Sequence, residues 1–415
     1  MIREACEVFK MVQKSDDLKN FFENFMEKDS LFVDKKVLQI NYTPSKIPHR
    51  AEQIDMLANV LAPSLKMEKP SNIFIYGKTG TGKTLTVNYI TSQLSEVAKQ
   101  KNLPLVFVYV NCKLKRVADT EYRLIAQIAK ELNTNIPATG LPTDEVYKIF
   151  INLVDKEKIL LIIVLDEIDQ LVKKIGDNLL YNLTRLNAEL KNSEISIVGI
   201  SNDLMFTDIL DPRVKSSLSE EELVFAPYDA TQIQDILRER GKAAFKKNTI
   251  KEGVIEKCAA YAAREHGDAR RALDLLRVAG ELAERKGSTQ IGIEDLDYAE
   301  DKIERDKVLD VVRTQPKQFQ LTLLSILNLY EKNNGLDVYT GDIFEIYRDL
   351  CEKAGLATLT QRRISDIICE FDMLGIIHTK VISKGRYGRS RQICLSIPQS
   401  TIPKIKEILK EGLNL

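Results

Sequence analysis

The chain is poor in histidine, and its cysteines are scattered; both features exclude chemistry. Only three histidines occur in 415 residues. The six cysteines (Cys6, Cys112, Cys258, Cys351, Cys369 and Cys394) contain no C-x-x-C pair. A Cys/His zinc site is therefore not expected, and the thiols read as small buried side chains of a reducing compartment. No apolar run reaches the roughly 18 residues needed to span a bilayer, so no membrane partner is expected. The N-terminal stretch MIREACEVFKMVQKSDD carries charges throughout and has no apolar core, unlike a secretory signal. A cytoplasmic protein is the expectation. Net charge is lacking too, because 60 basic and 60 acidic side chains cancel. Any nucleic-acid contact must then come from local clusters of charge. Internal repeats and low-complexity tracts are also missing.

What is present is a folded composition, 44% hydrophobic and 29% charged. The length exceeds one ordinary core and predicts two or three domains. Five short apolar runs, at residues 73–76, 105–110, 159–165, 195–200 and 223–225, alternate with helical patterns. Continuous Val/Ile/Leu runs mark strands buried on both faces, hence a parallel sheet between helix layers. Residues 231–307 switch to apolar spacings of three and four, a small helical bundle with Thr231 and Asp268 as expected N-caps. Three further helical patterns follow, near 319–331, 341–353 and 360–374. After them comes GIIHTKVISKGRYGRSRQICLSI, which reads as a β-hairpin and completes a winged-helix pattern. The expected division is an N-terminal segment 1–32, an α/β nucleotide-binding domain 33–229, a helical lid 230–308 and a winged-helix domain 309–415.

The stretch NIFIYGKTGTGKTLTVNYI carries G-x-x-x-x-G-K-T between a strand pattern and a helix pattern. Backbone N–H groups of Gly77, Lys78, Thr79, Gly80, Thr81, Gly82, Lys83, Thr84 and Leu85 are expected to wrap phosphates, since glycine tolerates the dihedrals required. The following helix adds its positive end. Lys83 is expected to reach the β- and γ-phosphates, and the Thr84 hydroxyl to sit on Mg²⁺. The stretch ILLIIVLDEID ends a buried strand in two acids. Asp166 is the expected Mg²⁺ partner and Glu167 the residue that polarises the attacking water. Asn202 ends another apolar strand, where an amide can orient that water or merely form a turn. In KIPHRAEQI a helix starts near the base, which makes His49 and Arg50 candidate nucleotide contacts or an exposed helix start.

In this order the motifs resemble an AAA+ ATPase. HGDARRALDLLR, LDPRVKSSL and the winged-helix pattern resemble the archaeal origin-recognition and replication-initiator (cell division control) branch. The resemblance runs from about residue 33 to 397. It implies an AAA+ α/β domain with a helical lid, followed by a C-terminal winged helix, and a slow ATPase that uses ATP, ADP and Mg²⁺. It places Arg270 on the nucleotide phosphates from the lid. It places Arg213 in the motif of the arginine finger donated by a neighbouring subunit, although Ser217 stands where many relatives have a second arginine. That departure favours a nucleotide-held switch over an efficient shared ATPase site.

The basic hairpin HTKVISKGRYGRSRQ contains no acid. Lys384, Arg386, Arg389 and Arg391, with Tyr387 and Gly388, are candidate DNA contacts, because cations near a glycine bend can follow a phosphate chain. Arg362 and Arg363 open the helix before it, whose apolar side is expected to be Ile364, Ile367, Ile368, Phe371 and Leu374. By resemblance the stretch NCKLKRVADTEYRLIAQIAKELN is the initiator insertion, giving Lys115, Arg116 and Arg123 as a second DNA contact; the alternative is a sheet-covering helix with a basic lead-in. The implied role is a replication initiator that binds duplex origin DNA and recruits or loads the replicative helicase, alongside other initiator subunits or paralogues. The alternatives are a regulatory AAA+ protein whose winged helix docks protein, a clamp-loader-like ATPase, and a transcriptional regulator.

Overall fold

The structure, a computed structural model of the chain, describes residues 29–39, 42–113, 120–137, 140–218, 221–333, 338–383, 389–397, 399–413 and 415. It divides into two compact units, Met1–Leu296 and Asp297–Leu415.

Unit 1 is built on five parallel strands: β1 (Ile73–Tyr76), β2 (Leu105–Asn111), β3 (Leu160–Asp166), β4 (Glu194–Ser201) and β5 (Glu221–Val224). Their order is β2-β3-β4-β1-β5. Alternate residues of each strand face opposite helix layers. Ile73, Ile75, Ile162, Val164, Val198 and Ile200 pack with Leu57 and Leu61 of α1 (Ala51–Leu61) and Val87, Ile90 and Leu94 of α2 (Lys83–Gln100). Phe74, Leu161, Ile163, Leu165 and Ile197 face the other way. They meet Leu124 and Ile128 of α3 (Glu121–Glu131), Phe150 of α4 (Thr143–Glu157) and Leu183 of a later helix. Phe74 pairs with Gly199, and a Cβ at 199 would run into the Phe74 ring, so a full aromatic side chain fits between sheet and helices there. Each such fully buried apolar side chain contributes about 1.5–3 kcal/mol relative to exposure. The connections after β3 and β4 are α5 (Ile168–Ile175), α6 (Asn178–Glu189) and α7 (Pro212–Leu218).

The lid follows as α8 (Ala230–Ala244), α9 (Val254–Arg264) and α10 (Ala269–Arg285). Asp268 caps α10, accepting from the N–H groups of Arg270 and Arg271. Thr231 does not cap α8. Asp229 does, in a reciprocal capping box with Gln232, and Thr231 instead donates its hydroxyl to Asp229 at 2.6 Å. Two residues upstream the chain already has the extended dihedrals a cap needs, and a carboxylate there outcompetes the threonine. Residues 29–39 lie on the lid: Val33 N–H donates to Ala244 C=O at 2.8 Å, and the Phe32 and Phe245 rings are 4.6 Å apart. Lys35 pairs with Glu281 at 2.6 Å.

In unit 2 the helix α11 (Ile293–Thr314) contributes Leu309 and Val312 to a core shared with α12 (Lys317–Lys332), α13 (Thr340–Lys353) and α14 (Gln361–Met373). Strands β7 (Ile377–Ser383) and β8 (Arg389–Leu395) form the antiparallel hairpin, and β6 (Val338–Tyr339) adds a third strand beside β8. Phe319, Tyr347 and Phe371 fill the centre. A last helix, α15 (Ile402–Leu413), buries Ile402, Ile405, Leu409 and Leu413. Thr360 caps α14 through the Arg363 N–H. Ile364, Ile367, Ile368 and Phe371 are buried as expected, but Leu374 is not: it ends the helix and is 46% exposed, past the turn where the core face rotates away.

Candidate nucleotide site and nucleic-acid elements

A cleft of about 430 Å³ opens at the C-terminal ends of β3 and β4, where α/β sheets hold ligands. Residues Thr79 to Leu85 line it, together with Asp166, Glu167 and Asn202 from the sheet edge, and Arg270 and Leu273 from the lid. Leu38, Tyr42, Ile47 and Pro48 close it from the N-terminal side. Gly80 and Gly82 sit at φ 72° and 91°, the left-handed region glycine favours, and so the loop turns tightly into the N-terminus of α2.

The Lys83 ammonium is buried and held by three acceptors. It donates to Gly77 C=O at 2.6 Å, to Lys78 C=O at 2.7 Å and to Asn202 Oδ1 at 2.9 Å. Burial, and secondarily the charge of Arg270, lowers its pKa to about 8; Asp166, Asp169 and Asp268 oppose the shift. Thr84 Oγ1 donates to Asp166 Oδ2 at 2.9 Å. The same oxygen accepts from the Tyr109 hydroxyl at 2.5 Å, and Asp166 Oδ1 accepts from the Glu167 N–H at 2.9 Å. Three donors thus fix a carboxylate that is 6% exposed. Burial, then the bond to Asp166, pushes the Tyr109 phenol well above its usual range. Glu167 has φ 57°, ψ 45°, a left-handed conformation costing about 1–2 kcal/mol in a non-glycine residue. Its carboxylate faces Lys113, whose Nζ lies 3.6 Å away. Asn202 is positioned in turn by buried Asp169, which accepts from its backbone N–H at 3.3 Å.

Arg50 and His49 do not line the cleft. Arg50, 4% exposed, donates through Nε to Thr81 C=O at 3.0 Å and through Nη2 to Ala226 C=O at 2.6 Å. Its guanidinium stacks on Tyr228, 3.9 Å from the ring centre. It braces the phosphate loop from behind. His49 Nε2 lies 3.2 Å from Asp235 of the lid. Arg270 is exposed and faces the cleft, whereas Arg271 is turned to Glu265 at 2.6 Å. Arg213 has an 85% exposed side chain whose Nε lies 3.2 Å from Asp211. Ser217 bonds within its own helix and to Thr184.

In unit 2, Arg362 and Arg363 are exposed at the start of α14. Arg391 is half-buried and donates to Ser365 C=O at 3.1 Å and to Cys369 Sγ, tying β8 to α14. Arg389 lies on β8, and its side chain is outside the described residues, as are Lys384, Arg386, Tyr387 and Gly388. Lys115 and Arg116 lie outside them too. Arg123 is half-buried in α3, a helix that covers the sheet with Leu124, Ile125 and Ile128.

Residues 66–203 match the AAA domain family model, residues 234–301 the Cdc6 AAA+ ATPase-type lid domain, and residues 310–404 the CDC6 C-terminal winged helix domain. An ORC1-type DNA replication protein of Pyrococcus abyssi is 51% identical over 397 residues, covering 95% of this chain and 93% of its own length. An ORC1-type DNA replication protein 1 of Methanosarcina acetivorans is 49% identical over 393 residues, 94% of each chain. The solved structure of the Aeropyrum pernix ORC1 protein in complex with DNA aligns with a TM-score of 0.79 and 44% identity, covering 92% of this chain and 98% of that one. The chain belongs to the ORC1-type DNA replication protein family. As a member it is an AAA+ ATPase and binds nucleotide. Among the described residues no helix is long and apolar enough to cross a membrane.

Tyr109, Asp169, Tyr42 and Arg240 belong to this ORC1-type cleft or its support and escape a motif-based reading. Asp169 was accessible as the last acid of LDEID. Tyr109 required knowing that β2 pairs with β3, which sets Asn111 beside Asp166 and Tyr109 two residues below.

Proposed function

We propose that this protein marks replication origins by binding duplex DNA, and that bound ATP or ADP sets whether it helps recruit or load the replicative helicase. The observation that carries the reading is the cleft itself: phosphate loop, strand-end acids and lid meet in one cavity of a chain that ends in a winged helix. Its relatives support the reading, since they are DNA replication proteins and one was solved on DNA.

Thr84 Oγ1 and Asp166 Oδ2, 2.9 Å apart at the cleft wall, are hard oxygen donors that suit Mg²⁺. When bound, the ion would neutralise charge on the phosphates. Lys83 and Arg270 bind the phosphates, Glu167 polarises the attacking water, and Asn202 holds that water's orientation. Arg213, exposed and preset by Asp211, serves a neighbouring copy or another initiator subunit. Arg362 and Arg363, with the basic hairpin, contact DNA; Lys115, Arg116 and Arg123 form a second contact. The division 33–229, 230–308 and 309–415 assigns nucleotide binding, lid and DNA reading in turn, all in the cytoplasm.

Chromatin immunoprecipitation from the protein's own cells, mapped against replication start sites, tests this. Sharp enrichment at start sites is expected. Enrichment at promoters alone would replace origin marking with transcriptional control, and enrichment nowhere would overturn DNA binding as the role.

A further inference from the structure

We propose that Arg240 reads the base in the nucleotide cleft: its Nη1 donates a hydrogen bond to a purine ring nitrogen. The inference rests on the nucleotide-binding reading of the same cleft.

Arg240 belongs to α8 and is only 8% exposed, yet it lines the cavity. Its Nη2 points at Tyr42 C=O at 3.4 Å, and the guanidinium lies over the Tyr42 ring, 4.5 Å from its centre. Nη1 is buried and has no hydrogen-bond partner among the described residues. No carboxylate among them lies within ion-pair distance of Arg240, although Glu239, which also lines the cleft, favours its charge from farther off. A buried cation without a close counter-ion is costly, and so is a buried donor without an acceptor. An acceptor on a ligand in the cleft would complete this group.

The surroundings say which part of a nucleotide would do so. Leu38, Ile47, Ile236 and Leu273 give the same cleft an apolar part, interrupted by Gln39, Thr43, Lys46 and Glu239. Ile236 precedes Arg240 by one turn of α8, and Leu273 follows Arg270 by one turn of α10, about 5 Å along that helix. Phosphate-directed groups therefore give way to a more apolar lining within the span of a ribose. An apolar lining with a few fixed polar groups is the usual form of a small-molecule site, and it suits a flat heteroaromatic ring. A guanidinium only donates, so its partner must be an acceptor. Purine ring nitrogens qualify in adenine and guanine alike, so this contact selects a purine and leaves the choice between the two to other groups. Tyr42, held by its stack on the guanidinium, fixes the direction of the donor.

Calorimetric titration of the full chain with ATP and with 1-deaza-, 3-deaza- and 7-deaza-ATP tests the proposal. One analogue should bind wild type roughly tenfold or more weakly than ATP, the loss expected for one charge-assisted hydrogen bond. Arg240→Met should bind ATP weaker by a similar factor and should no longer distinguish that analogue from ATP. Its melting temperature without nucleotide should not fall, because a buried, half-partnered charge has been removed; a purely structural arginine would lower it. If wild type binds ATP and all three analogues within twofold, the proposal fails while nucleotide binding stands. If Arg240→Met still discriminates against the analogue, another group reads the nitrogen and the proposal fails. If wild type binds no ATP, the reading beneath it fails. The wild-type analogue series decides even if the variant does not fold.

Discussion

Replacing Arg50 with methionine should loosen the phosphate loop without removing any group that lines the nucleotide cleft. The substitution keeps much of the apolar stem but deletes the guanidinium. Two carbonyls then lose charge-assisted donors, Thr81 at 3.0 Å and Ala226 at 2.6 Å. Each such bond is worth about 1.5–3 kcal/mol. The stack on Tyr228 adds about 2 kcal/mol when desolvated as here. Relief from burying a cation offsets several kcal/mol of that sum. The net expectation is about 3 kcal/mol, an opening constant roughly 100- to 200-fold larger. Hydrogen exchange followed by mass spectrometry would read it as faster exchange in peptides covering residues 77–90 and 222–230, with unit 2 peptides unchanged. Saturating ATP should restore most of the protection, because ligand binding favours the closed loop. Two results would refute the reasoning. Unchanged protection would mean the two carbonyls do not depend on Arg50. Unchanged protection with lost ATP affinity would make Arg50 a direct ligand contact, as the sequence alone suggested.

Further outcomes are expected at the phosphate loop and in unit 2. Between about pH 8 and 9 the unfolded chain holds a proton that folded Lys83 has released, so stability without nucleotide should rise with pH there and level off above pH 9, where the buried Cys112 thiol keeps a proton that the unfolded chain gives up; Lys83→Met should abolish the rise, and pH-dependent urea melts check this. Phosphate beside the ammonium raises its pKa again, so nucleotide binding near pH 8–9 should take up a proton, visible as a buffer-dependent binding enthalpy. Gly80→Ala should weaken ATP binding at least tenfold and loosen the lid, because Gly80 sits at φ 72° and a Cβ there would land on the Asp268 carboxylate; Gly341→Ala, which meets nothing, is the silent control. In salt-dependent DNA titrations Arg386→Ala with Arg389→Ala should flatten the slope of log affinity against log salt by about 2, whereas Arg391→Ala should mainly destabilise unit 2 by about 1.5–3 kcal/mol, since its guanidinium holds Ser365 C=O at 3.1 Å.

Much of the frame was legible because the signals are local. A strand buried on both faces needs a continuous apolar run, so 73–76 marks β1 without ambiguity. The phosphate loop and Asp166 announce themselves by spacing. What escaped depends on partners distant in sequence. Arg50 reads as a helix-start cation, and only the fold reveals Ala226 carbonyl 176 positions later as its acceptor. The lid packing of residues 29–39 was invisible for the same reason, since Phe32 meets Phe245 across more than two hundred residues. Thr231 failed as a cap because Asp229, two residues earlier, suits the position as well, and the backbone turn, not composition, chooses between them. Arg391 carries the same charge as its hairpin neighbours but points inward, a distinction that charge counting does not make.

The cleft is closed by segments that also hold one another, and these bonds would give the proposed nucleotide-dependent switch its physical basis. Ala269 N–H donates to Gly80 C=O at 3.3 Å, so the lid helix α10 is bonded to the tip of the phosphate loop. Arg50 joins the other side of that loop, at Thr81, to the strand-to-lid connection at Ala226. The N-terminal segment is bonded to the lid at Ala244 and lines the cleft at Leu38 and Tyr42. A phosphate entering the loop must compete for Lys83 with the carbonyls of Gly77 and Lys78 and with Asn202. Re-aiming that ammonium shifts the loop, and the loop cannot shift without moving the bond at Gly80 and the brace at Thr81. On the proposed switch, lid angle and nucleotide occupancy would be one equilibrium, and the ligand could bias it only by its difference in affinity for the two arrangements.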